Sequence, residues 1–184
     1  MNYELRLAEL EDGPRIQRLI ESSARGLGIG DYSAEQVEAA LSGAFGMDAQ
    51  LIRDRTYFVI EAQDELVACG GWSFRKKLFG AGKDQADSEE PASLDPQTEA
   101  AKIRAFFIAP EHARRGLGSL VLDHCEMAAR ERGFHRTELM ATLTGLKLYK
   151  ARGYLEGEAL EHEVAPGLSI SFVAMEKNLE NPSG

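Results

Sequence analysis

The chain is predicted to be a mixed α/β protein, α+β in arrangement: a central, mostly antiparallel sheet with one parallel strand–helix–strand unit and flanking helices. Three observations predict it. Residues 56–62 and 66–74 are rich in β-formers and flank the polar turn Gln63-Asp64-Glu65, which makes them a hairpin. An apolar run over 103–108 leads through a glycine-containing loop into a helical pattern and then into another strand over 137–141. A helical crossover of that kind joins strands that lie parallel. The 184 residues, 43% hydrophobic and 28% charged, suit one globular domain spanning 1–184 with a core of its own.

The elements follow in order. Residues 3–7 alternate in polarity and read as a short half-buried strand. From Asp12 the spacing becomes helical, with Ile16, Leu19 and Ile20 on one face and Pro14 suited to the first turn. The run Gly26-Leu27-Gly28-Ile29-Gly30 stops that helix and is expected to be a flexible connector. Ser33 and Gln36 form a capping box, after which Val37, Ala40 and Leu41 are the apolar stripe of a second short helix. After the hairpin, a long loop at about 76–99 holds glycines, prolines, acids and serines without period. A helix is expected from about Gly116, with Leu117, Leu120, Val121, His124, Cys125 and Ala128 on one side and Gly133 closing it. A further helix over 144–152 closes at Gly153, and 170–175 is the final strand.

The formal net charge of −9 disfavours nucleic acid and anionic membranes as partners, and mildly favours a cationic acceptor such as an amine. No apolar run approaches membrane-spanning length, and no basic flank precedes an apolar segment near Met1, so a cytoplasmic protein without a signal peptide is expected. Cys69 and Cys125 lie far apart in apolar stretches and are expected to be buried small side chains. The histidines show no metal-ligand spacing, so no metal site is expected.

The most informative segment runs from Ile103 to Ser119. A buried strand ends in a loop carrying Arg114, Arg115, Gly116 and Gly118, and a helix starts there. The first amides of a helix lack internal partners, and the helix dipole makes that end positive. Glycines leave those amides approachable, so the loop reads as a phosphate cradle, against the plainer alternative of a tight turn with solvated arginines. The Walker pattern is absent, and the dinucleotide fingerprint lacks its third small residue, where Val121 stands.

This segment resembles the acetyl-CoA pyrophosphate loop of the Gcn5-related N-acetyltransferases (GNAT), Gln/Arg-x-x-Gly-x-Gly/Ala. Gly116 and Gly118 match its small positions, and Ala113 replaces the long polar side chain. The resemblance implies that Arg115, Gly116, Leu117, Gly118 and Ser119 line the pyrophosphate with Arg114 nearby. It also implies that Phe106 and Ile108 offer main-chain groups to the pantetheine arm, one amide holding the thioester oxygen as charge develops. Core packing accounts equally for their side chains. A second stretch, from Leu146 to Tyr154, is similar to the family's closing motif, with Thr142 and Gly145 replacing its usual asparagine and alanine.

By that resemblance Tyr149 is the candidate general acid for the departing thiolate; packing with its polar tip outward is the alternative. The implied function is N-acetylation: an acetyl group passes from acetyl-CoA to a primary amine of a small molecule or peptide by direct attack. A non-catalytic acyl-CoA sensor is the alternative, because Lys102 stands where some family members carry a catalytic glutamate. Glu99, and His112 or His162 through water, are the remaining candidate bases. The acceptor is expected from the side opposite CoA, near residues 26–32, 72–75 and the long loop from Lys76, with Trp72 either a wall there or part of the core. A homodimer is left open as an assembly.

Overall fold

The structure, a computed structural model, describes residues 2–76 and 91–179. Its strands are β1 (Glu4–Leu7), β2 (Tyr57–Ala62), β3 (Glu65–Ser73), β4 (Ala101–Ile108), β5 (Arg136–Thr142), β6 (Leu155–Ala165) and β7 (Leu168–Asn178). Its helices are α1 (Gly13–Leu27), α2 (Ala34–Leu41), α3 (Ala49–Arg53), α4 (Leu117–Glu131) and α5 (Leu146–Ala151). The seven strands form one sheet in the order β1-β2-β3-β4-β5-β7-β6. Every pairing is antiparallel except β4 with β5, the parallel pair expected from the crossover through α4. Among the described residues no helix is long and apolar enough to cross a membrane.

Each face of the sheet buries its own cluster. Ile16, Leu19 and Ile20 of α1 pack with Val37 and Ala40 of α2, Leu51 and Ile52 of α3, and Tyr57 and Val59 beneath them. On the other face, Leu117, Val121, Leu122, Cys125 and Ala129 of α4 pack against Ala101, Ile103, Leu139 and Tyr149. Both cysteines are free and buried, as expected. The Ser33–Gln36 capping box is present in both directions: Ser33 N–H donates to Gln36 Oε1 at 2.8 Å and Gln36 N–H to Ser33 Oγ at 3.1 Å.

Several expectations need correction. The buried stripe of α4 is rotated from the expected one: Leu120 is exposed, while Leu122, Glu126 and Ala129 are buried. Glu126 can be buried there because Lys177 Nζ sits 2.7 Å from its carboxylate and the Tyr154 hydroxyl donates to it at 3.1 Å. Two elements lack a counterpart in the sequence reading. α3 is five residues long and depends on Asp48, which caps the Gln50 amide at 3.0 Å. β6 is an exposed edge strand carrying Glu156, Glu158, Glu161 and Glu163, so no apolar alternation marks it. Trp72 is buried with Phe74 and Phe134, which places it in the core. The expected loop at 76–99 falls partly on residues 77–90, which lie outside the described residues; Leu94, beyond them, is buried.

Candidate active site

Strands β4 and β5 pair only at Ala101–Thr137 and Lys102–Glu138, and then diverge toward their C-terminal ends. A central strand of a seven-stranded sheet would ordinarily be buried throughout, yet residues 104–108 of β4 are only half-buried. A wedge therefore opens between the two strands. The Ala109 N–H donates to Val67 O of β3 at 2.8 Å. Main-chain groups alternate along a strand, so Phe106 and Ile108 turn theirs away from β3, toward the wedge. A bulge sits at the start of this stretch: the register shifts and Ala105 has φ +61°. Such a left-handed alanine is strained, and bulges concentrate where a strand must re-aim its groups. The Tyr57 hydroxyl steadies the Ala105 carbonyl at 3.4 Å.

The glycine loop stands at the mouth of that wedge. The N-cap of α4 is Gly116 at φ +82°, with no side-chain cap bond. No described side chain caps the leading amides of Leu117, Gly118 and Ser119, which form the positive end of the helix dipole. Arg114 is also left-handed, at φ +64°, so two left-handed residues flank Arg115 just before the helix. Arg114 and Arg115 are exposed, and Arg115 Nη1 lies 3.4 Å from the Tyr3 hydroxyl. The two glycines serve different ends. Gly116 has open space around it and supplies the positive φ, whereas a methyl at Gly118 would come within 2.9 Å of Leu148 Cδ2. Gly118 thus lets α5 pack against the start of α4, in addition to keeping its amide approachable.

That packing carries Tyr149 to the wedge. Its ring lies edge-on to Phe106, with centroids 6.2 Å apart, and to Tyr154 at 5.7 Å. The residue is buried, but its hydroxyl keeps some solvent contact and bonds to no described residue. Burial raises the phenol well above its ordinary range, with a smaller push from neighbouring Cys125. The hydroxyl is therefore protonated, and able to donate, throughout the neutral range. Of the candidate site residues, Phe106 and Tyr149 are in ring contact, Ile108 ends β4 with its N–H on Ser23, and the loop from Arg114 to Ser119 leads into α4.

The candidate bases are dispersed. Lys102 is ion-paired with Glu138, and burial lowers its pKa. Glu99 precedes β4 at the closed end of the splay, where it accepts the Asp95 N–H at 2.7 Å. His112 Nδ1 is 3.1 Å from the Tyr3 hydroxyl, and His162 packs edge-on to Phe172.

Three polar residues make contacts that no local pattern announces: Ser23, which the sequence analysis did not single out, and Asp31 and Tyr32, within the 26–32 stretch expected beside the acceptor. Ser23 of α1, 5% exposed, accepts the Ile108 N–H at 3.1 Å. Tyr32 accepts the Leu143 N–H at 2.9 Å and donates to Ser171 O at 2.8 Å, and Asp31 accepts from Thr144 Oγ1 at 2.9 Å. The run from Gly26 to Gly30, expected to be a flexible connector, is held at both ends: Gly26 and Leu27 belong to α1, and Asp31 and Tyr32 are tied to the ends of β5 and β7. One signal was available: Ser23 falls on the 16, 19, 20, 23 stripe of α1, a polar residue where the spacing calls for an apolar one.

The chain matches the acetyltransferase (GNAT) family over residues 31–154. It resembles a GCN5-related N-acetyltransferase from Rhodopseudomonas palustris (TM-score 0.70, 20% identity, covering 97% of this chain and 96% of that one). It also resembles the PaiA N-acetyltransferase of Thermoplasma acidophilum, solved with coenzyme A (TM-score 0.66, 15% identity, 97% and 99% covered). A third similar structure is the ribosomal-protein-S18-alanine N-acetyltransferase of Escherichia coli (TM-score 0.59, 13% identity, 99% and 97% covered). No curated protein matches the chain. A family match over more than half of the sequence, on a splayed sheet with a bare helix start at its opening, establishes that the chain belongs to the GNAT family of acetyltransferases.

Proposed function

We propose that this acetyltransferase moves the acetyl group of acetyl-CoA to a primary amine of a small molecule or peptide by direct attack, with residues 1–184 acting as one catalytic unit. The observation that carries the reading is the wedge: a main-chain edge that β5 leaves after Lys102–Glu138, an uncapped α4 amide cluster at one end, and the Tyr149 ring edge-on to Phe106. In this reading the amides of Leu117, Gly118 and Ser119, with Arg114, Arg115 and Gly116, hold the pyrophosphate. The arm lies along β4, and the Phe106 N–H donates to the thioester oxygen as the tetrahedral intermediate forms. The amine nitrogen bonds to the acetyl carbon, the carbon–sulfur bond breaks, and the thiolate takes a proton from the Tyr149 hydroxyl, which solvent then restores. The amine gives up its proton to a base or to water, and the acidic surface favours a cationic acceptor.

A second reading, acyl-CoA binding without turnover, draws support from the Lys102–Glu138 ion pair, which puts a cation where a catalytic carboxylate would stand on β4. Thiol release from acetyl-CoA over a panel of polyamines, amino acids, aminoglycosides and peptides tests the choice. Turnover on any acceptor supports transfer; saturable CoA binding with no turnover supports the sensor. Failure to bind CoA at millimolar concentration overturns both.

A further inference from the structure

Ser23 is a buried serine on the apolar stripe of α1, and its oxygen accepts the Ile108 N–H at 3.1 Å. That amide lies on the edge of β4 that β5 abandons after Lys102–Glu138. The hydroxyl thus stands in for the missing strand partner, satisfying the amide without closing the wedge. A hydroxyl has one hydrogen to donate as well as lone pairs to accept. A helical serine commonly donates back to the carbonyl four residues earlier. Ser42 does so to Glu38 O at 3.1 Å, but Ser23 makes no such bond, and its hydrogen has no acceptor among the described residues. Buried hydroxyl hydrogens are rarely left without an acceptor, because doing so forfeits the desolvation cost of the group. Accepting from Ile108 also polarises the O–H bond and makes it a better donor.

We infer that the Ser23 hydroxyl is a binding residue for the acyl donor, relaying the Ile108 amide to an amide carbonyl of the CoA arm. Ile108 is the last residue of β4, next to the loop that leads to α4, whereas Phe106 lies further into the wedge beside Tyr149. The relay therefore meets the arm between the pyrophosphate and the reacting thioester. The arm would use one direct main-chain donor, at Phe106, and one hydroxyl donor at Ser23, in place of two main-chain donors. This inference rests on the acyl-CoA reading above.

The test compares two probes by calorimetry on the wild-type protein and Ser23→Ala: coenzyme A, and 3′-phosphoadenosine 5′-diphosphate, which lacks the arm. Ser23→Ala should weaken coenzyme A about three- to tenfold, the worth of one neutral hydrogen bond, and leave the nucleotide within about twofold. Ser23→Cys keeps the size with a weaker donor and should give a smaller loss on the same pattern; it carries the comparison if the alanine variant does not fold. Equal losses for both probes mean that Ser23 only shapes the protein, and unchanged coenzyme A affinity means that the hydroxyl does not touch the arm; either result overturns the inference. A wild-type protein that binds neither probe overturns the acyl-CoA reading instead.

Discussion

Tyr149→Phe separates catalysis from architecture more cleanly than any other change at this site. The substitution removes one oxygen and keeps the ring, so the edge-on contacts with Phe106 at 6.2 Å and Tyr154 at 5.7 Å persist. The lost hydroxyl bonds to no described residue, so no intramolecular hydrogen bond is broken. Stability should change by less than about 0.5 kcal/mol, roughly 2 °C in Tm for a chain of this size. Coenzyme A affinity, set mainly at the α4 start, should stay within about twofold. Turnover should fall by about 10²–10⁴, the usual contribution of a positioned proton donor, which raises the barrier by about 3–5 kcal/mol. The pH profile adds a check. Burial raises the phenol, and a raised pKa keeps the donating, protonated form at every lower pH. The wild-type enzyme should therefore show no loss of its acid below the ordinary tyrosine value of about 10. The assay is thiol release with an acceptor that supports turnover, alongside calorimetry and thermal melting of the same samples. Turnover within threefold of wild type would remove Tyr149 from the proton-donor role.

Other perturbations reach different parts of the structure. Gly116→Ala should cost about 1 kcal/mol in a denaturant melt, because alanine is strained at φ +82° although nothing crowds the position. Gly116→Glu should in addition weaken coenzyme A binding, since it sets an anion at the mouth of the uncapped helix, and an unchanged Kd would count against the pyrophosphate assignment. Tyr32→Phe leaves the Leu143 N–H and Ser171 carbonyl without their shared partner; a loss of about 2 kcal/mol and faster hydrogen exchange at Leu143 are expected. The hydrogen bonds from Arg6, at 2.6 and 2.9 Å, hold the buried Asp12 carboxyl below its ordinary value. The stability this supplies is present above about pH 4 and fades as pH falls through the lower folded value. Arg6→Met should therefore lower Tm at pH 7 and lose most of that deficit in acid; a gap that does not depend on pH would refute the linkage.

A feature of this fold is legible in the sequence where it is written in neighbouring residues. The Ser33–Gln36 box, the hairpin about Gln63-Asp64-Glu65 and the turn through Gly116 are local, since caps, turns and backbone freedom depend on residues a few positions apart. They were legible for that reason, and so was the parallel pair, which a strand–helix–strand order enforces. β6 was not, because an edge strand with alternating glutamates buries too little to impose a period. The α4 stripe was misplaced because Glu126 looks like a surface residue until Lys177, from β7, is known to lie beside it.

The same division governs the site. From the residues alone came the mixed sheet and a glycine loop at a helix start that could cradle a phosphate, whereas the candidacy of Tyr149 came from the resemblance of residues 146–154 to the family's closing motif. Only the tertiary structure decided that β4 leaves β5 after Lys102, that Gly118 makes room for Leu148, and that Ser23 and Tyr32 reach groups 85 and 111 positions away. Burial, hydrogen-bond partner and strand splay are set by which surfaces meet when the two faces of the sheet are covered. Those meetings join residues distant in the chain, and no window of neighbouring residues records them.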